Sequence, residues 1–346
     1  MLCAMRDPLT QQPHPGRPGR GRRTLCAGLA ALVLGGAGLG CVQAAAADFP
    51  ARALSLVVPY PPGGATDTVG RLLAGALARR LGQPVLVENR AGAGTAIGAA
   101  AVAQAAPDGY TLLLSSSTTF TINPALQPRL PYEPLRSFEA LGLVGSSPLV
   151  LLAHPALPAA DLRALVALAR ARPGQLNYGS FGNGSSAHLA GELFKAAAGL
   201  DIVHLPYRGS APAMQDLVAG RIQLSIDTNV AAIPQLRAGR VRALAVTSLQ
   251  PSPSLPGVPS IAASGYPGFE LVPWLALVAP RGLPPPVRDA LARALADALG
   301  DAALRAELER LGLDVQPEPP AAYERRVSAE LPRLRAQIHR ARITAD

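Results

Sequence analysis

The chain has 346 residues, 49% of them hydrophobic and 16% charged, with 34 Gly, 35 Pro and three Cys. That composition excludes a disordered polypeptide, a collagen-like repeat and a disulfide-stapled scaffold, and its length accommodates one large or two medium domains. The formal charge of +9 overstates the folded part: five Arg precede residue 25, and the remainder carries 27 basic against 22 acidic residues, a net +5 without blocks of like charge. So modest a field suits small anions and gives no ground for a nucleic-acid partner.

Residues 1–47 read as a leader. Arg22-Arg23 precede an apolar run from Leu25 to Leu39, and Ala44 to Ala47 supply an Ala-x-Ala exit before Asp48. Basic flank, short apolar core and small-residue exit define a secretory signal peptide, with cleavage expected after Ala46 or Ala47. The run is too short and Gly-rich for a bilayer span, and no later stretch supplies 18 uncharged apolar residues. Arg22-Arg23-Thr24-Leu25 leaves twin-arginine export open beside the general route, and the long polar start leaves Met5 open as the first residue. Lipid anchoring at Cys41 is not expected, because Gly38 stands where a lipobox carries Leu. Cys3, Cys26 and Cys41 all lie in the leader, so a chain starting at Asp48 has 299 residues and no thiol for catalysis or metal binding.

Next comes a strand, Leu54 to Val58, a Pro-Gly turn, and a helix from Asp67 to Leu81 closed by Gly82. A second strand, Val85 to Asn89, leads to a small-residue helix from about Thr95 to Ala106, then a strand from Tyr110 to Leu114 and a hydroxyl-rich loop. The rhythm restarts at Leu149 to Leu152, with a helix over 159–171, a short strand at Asn177 to Ser180 and a helix carrying Leu189, Leu193 and Phe194. A strand over Ile202 to Leu205, a helix over Ala211 to Ala219, strands at Leu224 to Asp227 and Leu244 to Thr247, and a strand from Trp274 to Val278 follow. Helices near 284–299, 301–311 and 318–340 finish the chain. Strand–helix alternation with short connections predicts α/β architecture with largely parallel sheets, in two lobes, with polar loops after the strands where such sheets place ligands.

Three loops are candidates. In Tyr60-Pro-Pro-Gly-Gly-Ala-Thr-Asp67, Gly63 and Gly64 would let N–H groups converge on an anion at a helix start; the alternative is a plain turn with Thr66 or Asp67 as N-cap. No Lys-Ser or Lys-Thr follows, so it is not a nucleotide P-loop. In Gly92-Ala-Gly-Thr-Ala-Ile-Gly98 the glycine spacing fails the dinucleotide pattern, and close helix packing explains it better. Gly179 to Ser186 lacks a Gly-x-Ser-x-Gly elbow; Ser185 or Ser186 with His188 stays open as a hydrolase pair, against helix capping by either serine. His14, His154, His188, His204 and His339 are scattered, so neither a metal nor another cofactor is expected. Asp227 ends a strand, where it could meet an ammonium or cap the next helix, and Arg208 could pair with an anion.

Taken in order, Tyr60 to Asp67, Glu88-Asn-Arg90, Ala106-Pro-Asp-Gly-Tyr-Thr-Leu-Leu113, Leu176-Asn-Tyr-Gly-Ser180, Gly184 to Phe194, His204-Leu-Pro-Tyr-Arg-Gly-Ser-Ala-Pro212 and Trp274 closely resemble the tripartite tricarboxylate transporter receptors, the TctC or Bug family. The resemblance runs from about Phe49 to the C-terminal helices. It implies a type II periplasmic-binding-protein fold: a first lobe from 48–147 completed by 272–346, and a second from 148–271. It further implies a monomeric, non-enzymatic periplasmic receptor that hands a small organic anion, a carboxylate with an amino acid as a further option, to separately encoded membrane subunits. An exported serine hydrolase and a periplasmic sensing module are the alternatives. The expected ligand-binding residues are Tyr60, Pro62, Gly63, Gly64, Asp67, Ser115, Ser117, Ser180, Gly184, Tyr207 and Asp227. Thr95 departs from the family pattern, which continues Gly-Ala-Gly with another Gly.

Overall fold

The computed structural model describes residues 49–127 and 129–344; the expected leader, its cleavage point and Cys41 lie outside them. Strand β1 (Leu54–Val58) leads into helix α1 (Ala65–Leu81), β2 (Val85–Asn89), α2 (Ala96–Ala103) and β3 (Thr111–Ser116). β2 and β3 pair in parallel with β1, as crossover helices require. After helix α3 (Asn123–Leu126), β4 (Phe138–Ser146) joins the same sheet.

The chain passes through Ser147-Pro148 into a second sheet, built from β5 (Leu149–Ala153), β6 (Asn177–Ser180), β7 (Val203–Pro206), β8 (Leu224–Thr228) and β9 (Arg242–Val246) in the order β7-β6-β8-β5-β9. Helices α4 (Leu162–Ala171), α5 (Ser186–Ala198), α6 (Ser210–Val218) and α7 (Asn229–Arg237) connect its strands. The chain then returns as β10 (Trp274–Pro280), which inserts between β3 and β4, and ends in α8 (Pro285–Leu299), α9 (Ala302–Arg310) and α10 (Pro320–Ala341).

The sheets are mixed rather than largely parallel. β10 runs antiparallel to β3 and β4, and β5 antiparallel to β8 and β9, because each strand next to a crossing enters its sheet from the far end. The sequence reading also passed over β4. Gly142 and Gly145 look like breaks there, yet a Cβ at Gly145 would lie 2.4 Å from the Asp314 carbonyl, so glycine is what lets the 314–318 segment pair alongside.

The segment after β3, read as a hydroxyl loop, coils at Thr118–Ile122 into a π-helical turn that runs into α3. Its Phe120 stacks on Trp274 at 5.8 Å, with Tyr323 edge-on to both rings. Glu330 of α10 accepts the Trp274 Nε1 proton at 2.9 Å and the Thr121 hydroxyl at 3.2 Å, tying the last helix to this turn. Helix starts moved as capping dictates. α1 begins at Ala65 with Gly64 as N-cap and no capping side chain, while α4 begins at Leu162 because Asp161 accepts the Ala164 N–H.

Gly145→Ala is expected to destabilise the protein by about 1–3 kcal/mol through overpacking against backbone that cannot turn aside. Gly75→Ala, on the exposed face of α1 with only the Arg79 side chain near its Cβ, is expected to stabilise it by about 0.5–1 kcal/mol. Urea unfolding of the two variants checks both signs.

Candidate functional site

The β1–α1 loop is fastened from within. Buried Asp67 accepts the Gly63 N–H at 2.8 Å, Arg71 Nε at 3.0 Å and Asn89 Nδ2 at 2.9 Å, and the same Asn89 nitrogen donates to the Tyr60 carbonyl at 3.1 Å. Burial opposes ionisation of Asp67, but these donors outweigh it and hold its carboxyl below the usual range. The Gly63 N–H is therefore spent on Asp67. Among the described residues the N–H groups of Ala65 and Thr66, at the first turn of α1, have no such partner. Gly63 needs its glycine, with φ 77°, whereas Gly64 has ordinary extended backbone (φ −80°, ψ 171°).

Across the cleft, Tyr207 is pinned by its N–H to the Ser180 carbonyl (3.1 Å) and by its hydroxyl to Asp216 (2.7 Å). Gly209 follows at φ 108°, where a Cβ would come within 3.1 Å of Pro61 from the first lobe. Ser210 donates its hydroxyl to Asp227, whose other oxygen takes the Thr228 N–H at 2.8 Å. Thr228, not Asp227, caps α7. Burial pushes the Asp227 carboxyl up to about 6 against these opposing hydrogen bonds.

These loops enclose two adjoining chambers. One of ≈ 270 Å³ is walled by Tyr60, Pro61, Pro62, the first turns of α1 and α6, Phe181, Arg208, Asp227 and Thr228. The other, ≈ 620 Å³, lies between the Gly92–Thr95 loop, Thr118, the Gly182-Asn183 turn and the Pro206–Gly209 segment, and shares Tyr60, Pro61, Phe181, Arg208 and Gly209 with the first. The smaller chamber thus receives the N-termini of three helices, α1, α6 and α7, an arrangement that favours negative charge on a ligand.

Of the expected residues, Tyr60, Pro62, Gly64 and Asp227 meet at the smaller chamber and Tyr207 lines the larger. Gly63 lines an adjoining cleft of ≈ 400 Å³ between α1, α6 and α7, which shares Ala65, Ser210 and Ala211 with the smaller chamber. Asp67, Ser115, Ser117, Ser180 and Gly184 line neither chamber. Ser115 is buried in a hydroxyl chain through Thr119 (2.5 Å) to Thr95 (2.7 Å), and the Ser117 carbonyl accepts the Thr121 hydroxyl. Ser180 meets His204 Nε2 at 2.7 Å, and Gly184 gives its N–H to His188 Nδ1.

The sequence reading missed Ser116, which pairs with the Tyr60 hydroxyl at 2.6 Å, and it missed Thr66, Phe181 and Thr228 as wall residues. Alternation places Ser116 one residue from the expected Ser115, and Phe181 lies inside a loop judged only for hydroxyls. Thr95 adopts φ 86°, unusual for a threonine, with its hydroxyl bonded to Thr119.

The hydrolase alternative fails on geometry. Ser185 Oγ accepts the His188 backbone N–H as the cap of α5, while the His188 ring takes the Gly184 N–H and stacks on His204 at 4.2 Å. No nucleophile–base bond forms between these serines and His188. Among the described residues no group of His, Cys, Asp and Glu could hold a metal ion.

Two α/β lobes and a loop-lined interlobe cleft define a type II periplasmic-binding-protein fold, and solved structures agree. An R. palustris protein solved with adipate superposes with a TM-score of 0.83 at 36% identity, covering 86% of this chain and 99% of that one. MatC from Rhodopseudomonas palustris, with bound malate, gives 0.80 at 36%, covering 84% and 100%. Protein BugT of Bordetella pertussis is 44% identical over 252 residues, 72% of this chain and 77% of that protein. The family model described as tripartite tricarboxylate transporter family receptor matches residues 69–342, and the chain belongs to that family. It is a solute-binding protein of that family.

Two outcomes follow from the site. Gly63→Ala is expected to cost about 1–2 kcal/mol in denaturant unfolding, because alanine must enter a left-handed conformation, while Gly64→Ala should leave stability almost unchanged. The second concerns the stacked histidines. Burial lowers the pKa of both, and for His204, beside His188 and Lys195, it falls to about 3. Unfolded histidines titrate near 6.5, so the unfolded chain takes up protons first, and the stability present above about pH 6.5 is lost as pH falls towards about 3. His204→Gln should therefore lose less melting temperature than the parent between pH 7 and 5. Asp227, with its raised native pKa, acts in the opposite sense below about 6 but is common to both proteins.

Proposed function

We propose that the protein is a monomeric periplasmic receptor that captures a small carboxylate between its lobes and delivers it to the membrane subunits of a tripartite transporter. The observation that carries this reading is the convergence of three helix N-termini on one interlobe chamber of ≈ 270 Å³, with apolar walls from Pro61, Pro62, Phe181 and Pro212. The Ala65 and Thr66 N–H groups offer the anion direct or water-bridged donors, and Arg208 stands at the junction of the chambers. The adipate and malate in the two related structures support a carboxylate. A mono- or dicarboxylate suits these mainly neutral donors better than a citrate-like trianion.

In this reading the chain forms one lobe from 48–147 with 272–346 and the other from 148–271, and the crossings near 147 and 272 act as the hinge. A signal peptide removed after residue 46 or 47 brings it to the periplasm. The uptake role fits the family, and sensing has no separate observation in its favour.

Calorimetric titration of ligand-freed protein with propionate, succinate, adipate and citrate, beside the neutral amide succinamide, tests the reading. Binding of at least one small carboxylate with no response to the amide is expected; equal binding of the amide, or no binding by any carboxylate, overturns it. Gly209 lies against Pro61 across the cleft, so Gly209→Val should force the lobes apart and weaken carboxylate binding about tenfold or more, or roughly 1.4 kcal/mol.

A further inference from the structure

The chamber that receives the helix N-termini also contains a negative group of its own. Asp227 is 1% exposed and forms part of the wall. Its donors are the Ser210 hydroxyl and the N–H and hydroxyl of Thr228, while an ionised carboxylate accepts about four. Among the described residues no Lys or Arg forms an ion pair with it, whereas equally buried Asp67 has Arg71. Of the neighbouring hydroxyls, Tyr60 pairs with Ser116, while Thr228 accepts the Ala231 N–H and turns its own proton to Asp227.

A plain carboxylate held by the α1 N–H groups would share this small chamber with a second carboxylate and offer Asp227 no donor in return. A ligand with a hydroxyl or ammonium beside its carboxylate meets both demands. Its carboxylate takes the free N–H groups of α1, and its donor fills the remaining acceptor capacity of Asp227. The chamber holds ≈ 270 Å³ and adjoins the larger one, so the carboxylate and the donor fit there as one short unit and any longer chain extends beyond it.

Resting on the carboxylate reading above, we propose that Asp227 is a specificity-determining residue that selects short acids carrying a hydrogen-bond donor next to the carboxylate, α-hydroxy and α-amino acids, over plain acids of equal length. Matched pairs test this by calorimetry on ligand-freed protein at pH 7.5: lactate against propionate, malate against succinate, and aspartate against succinate. The donor-bearing member of at least one pair is expected to bind about tenfold or more tightly, and Asp227→Asn should bring that ratio close to one, weakening the donor-bearing acid and strengthening the plain one. Plain acids binding as tightly as their partners in the unaltered protein overturn the proposal without any variant, and so does a folded Asp227→Asn protein that keeps the ratio. Those results leave the carboxylate reading standing. Failure of every acid in both panels to bind the unaltered protein overturns that reading, and this one with it.

Discussion

The acceptance of the Gly63 N–H by buried Asp67 is the contact on which the cleft depends. Through Arg71 and Asn89 the same carboxylate ties the β1–α1 loop to the end of β2, so the Tyr60-Pro61-Pro62 segment is held rigid where it faces the second lobe. The clamp also settles which donors are on offer. With Gly63 engaged, α1 presents only the N–H groups of its first turn, and the tyrosine hydroxyl is turned to Ser116. Asp227 does the corresponding work in the second lobe, between the starts of α6 and α7. Each set of helix dipoles therefore has a resident anion. Recognition in the cleft rests on where donors and acceptors point as well as on the field of the helix N-termini.

Backbone proximity is the second theme. Gly209 lies against Pro61, and a Cβ on Gly94 would reach both the Asn183 carbonyl and the Asn123 side chain at 3.4 Å. Away from the cleft Ile122, Leu334 and Ile338 pack among the apolar residues of the second lobe, but across the cleft the lobes approach through main chain and a proline ring. Such contacts are short-ranged and carry little apolar area, which suits surfaces that must part and meet again.

The alternation of apolar strands and amphipathic helices made β1 to β3 and β6 to β8 readable, because each has a short connection and its own periodicity. β4 was hidden by Gly142 and Gly145, residues that signal a break until the neighbouring segment is seen to need the space. Strand direction at β5 and β10 is a property of the crossings and leaves no local trace. In the site, the loop positions of Tyr60, Pro62, Gly64, Tyr207 and Asp227 were legible from their place after strands. Ser115 and Ser180 were expected there from the family resemblance, and the structure turns their hydroxyls to Thr119 and His204, since side-chain direction in a turn depends on dihedrals that composition does not encode.

The insertion of β10 between β3 and β4 bears on the order in which the molecule is made. The second sheet draws all its strands from one continuous stretch, Leu149 to Val246, and can assemble from contacts within about a hundred residues. The first sheet cannot. Its β3 and β4 have no shared partner until residues 274–280 arrive, and the turn at Thr118–Ile122 waits longer still for Glu330. During synthesis the amino-terminal lobe is thus an unfinished sheet with an open edge until nearly the whole chain has emerged. The sheet that closes last is thus the one that begins first in the chain.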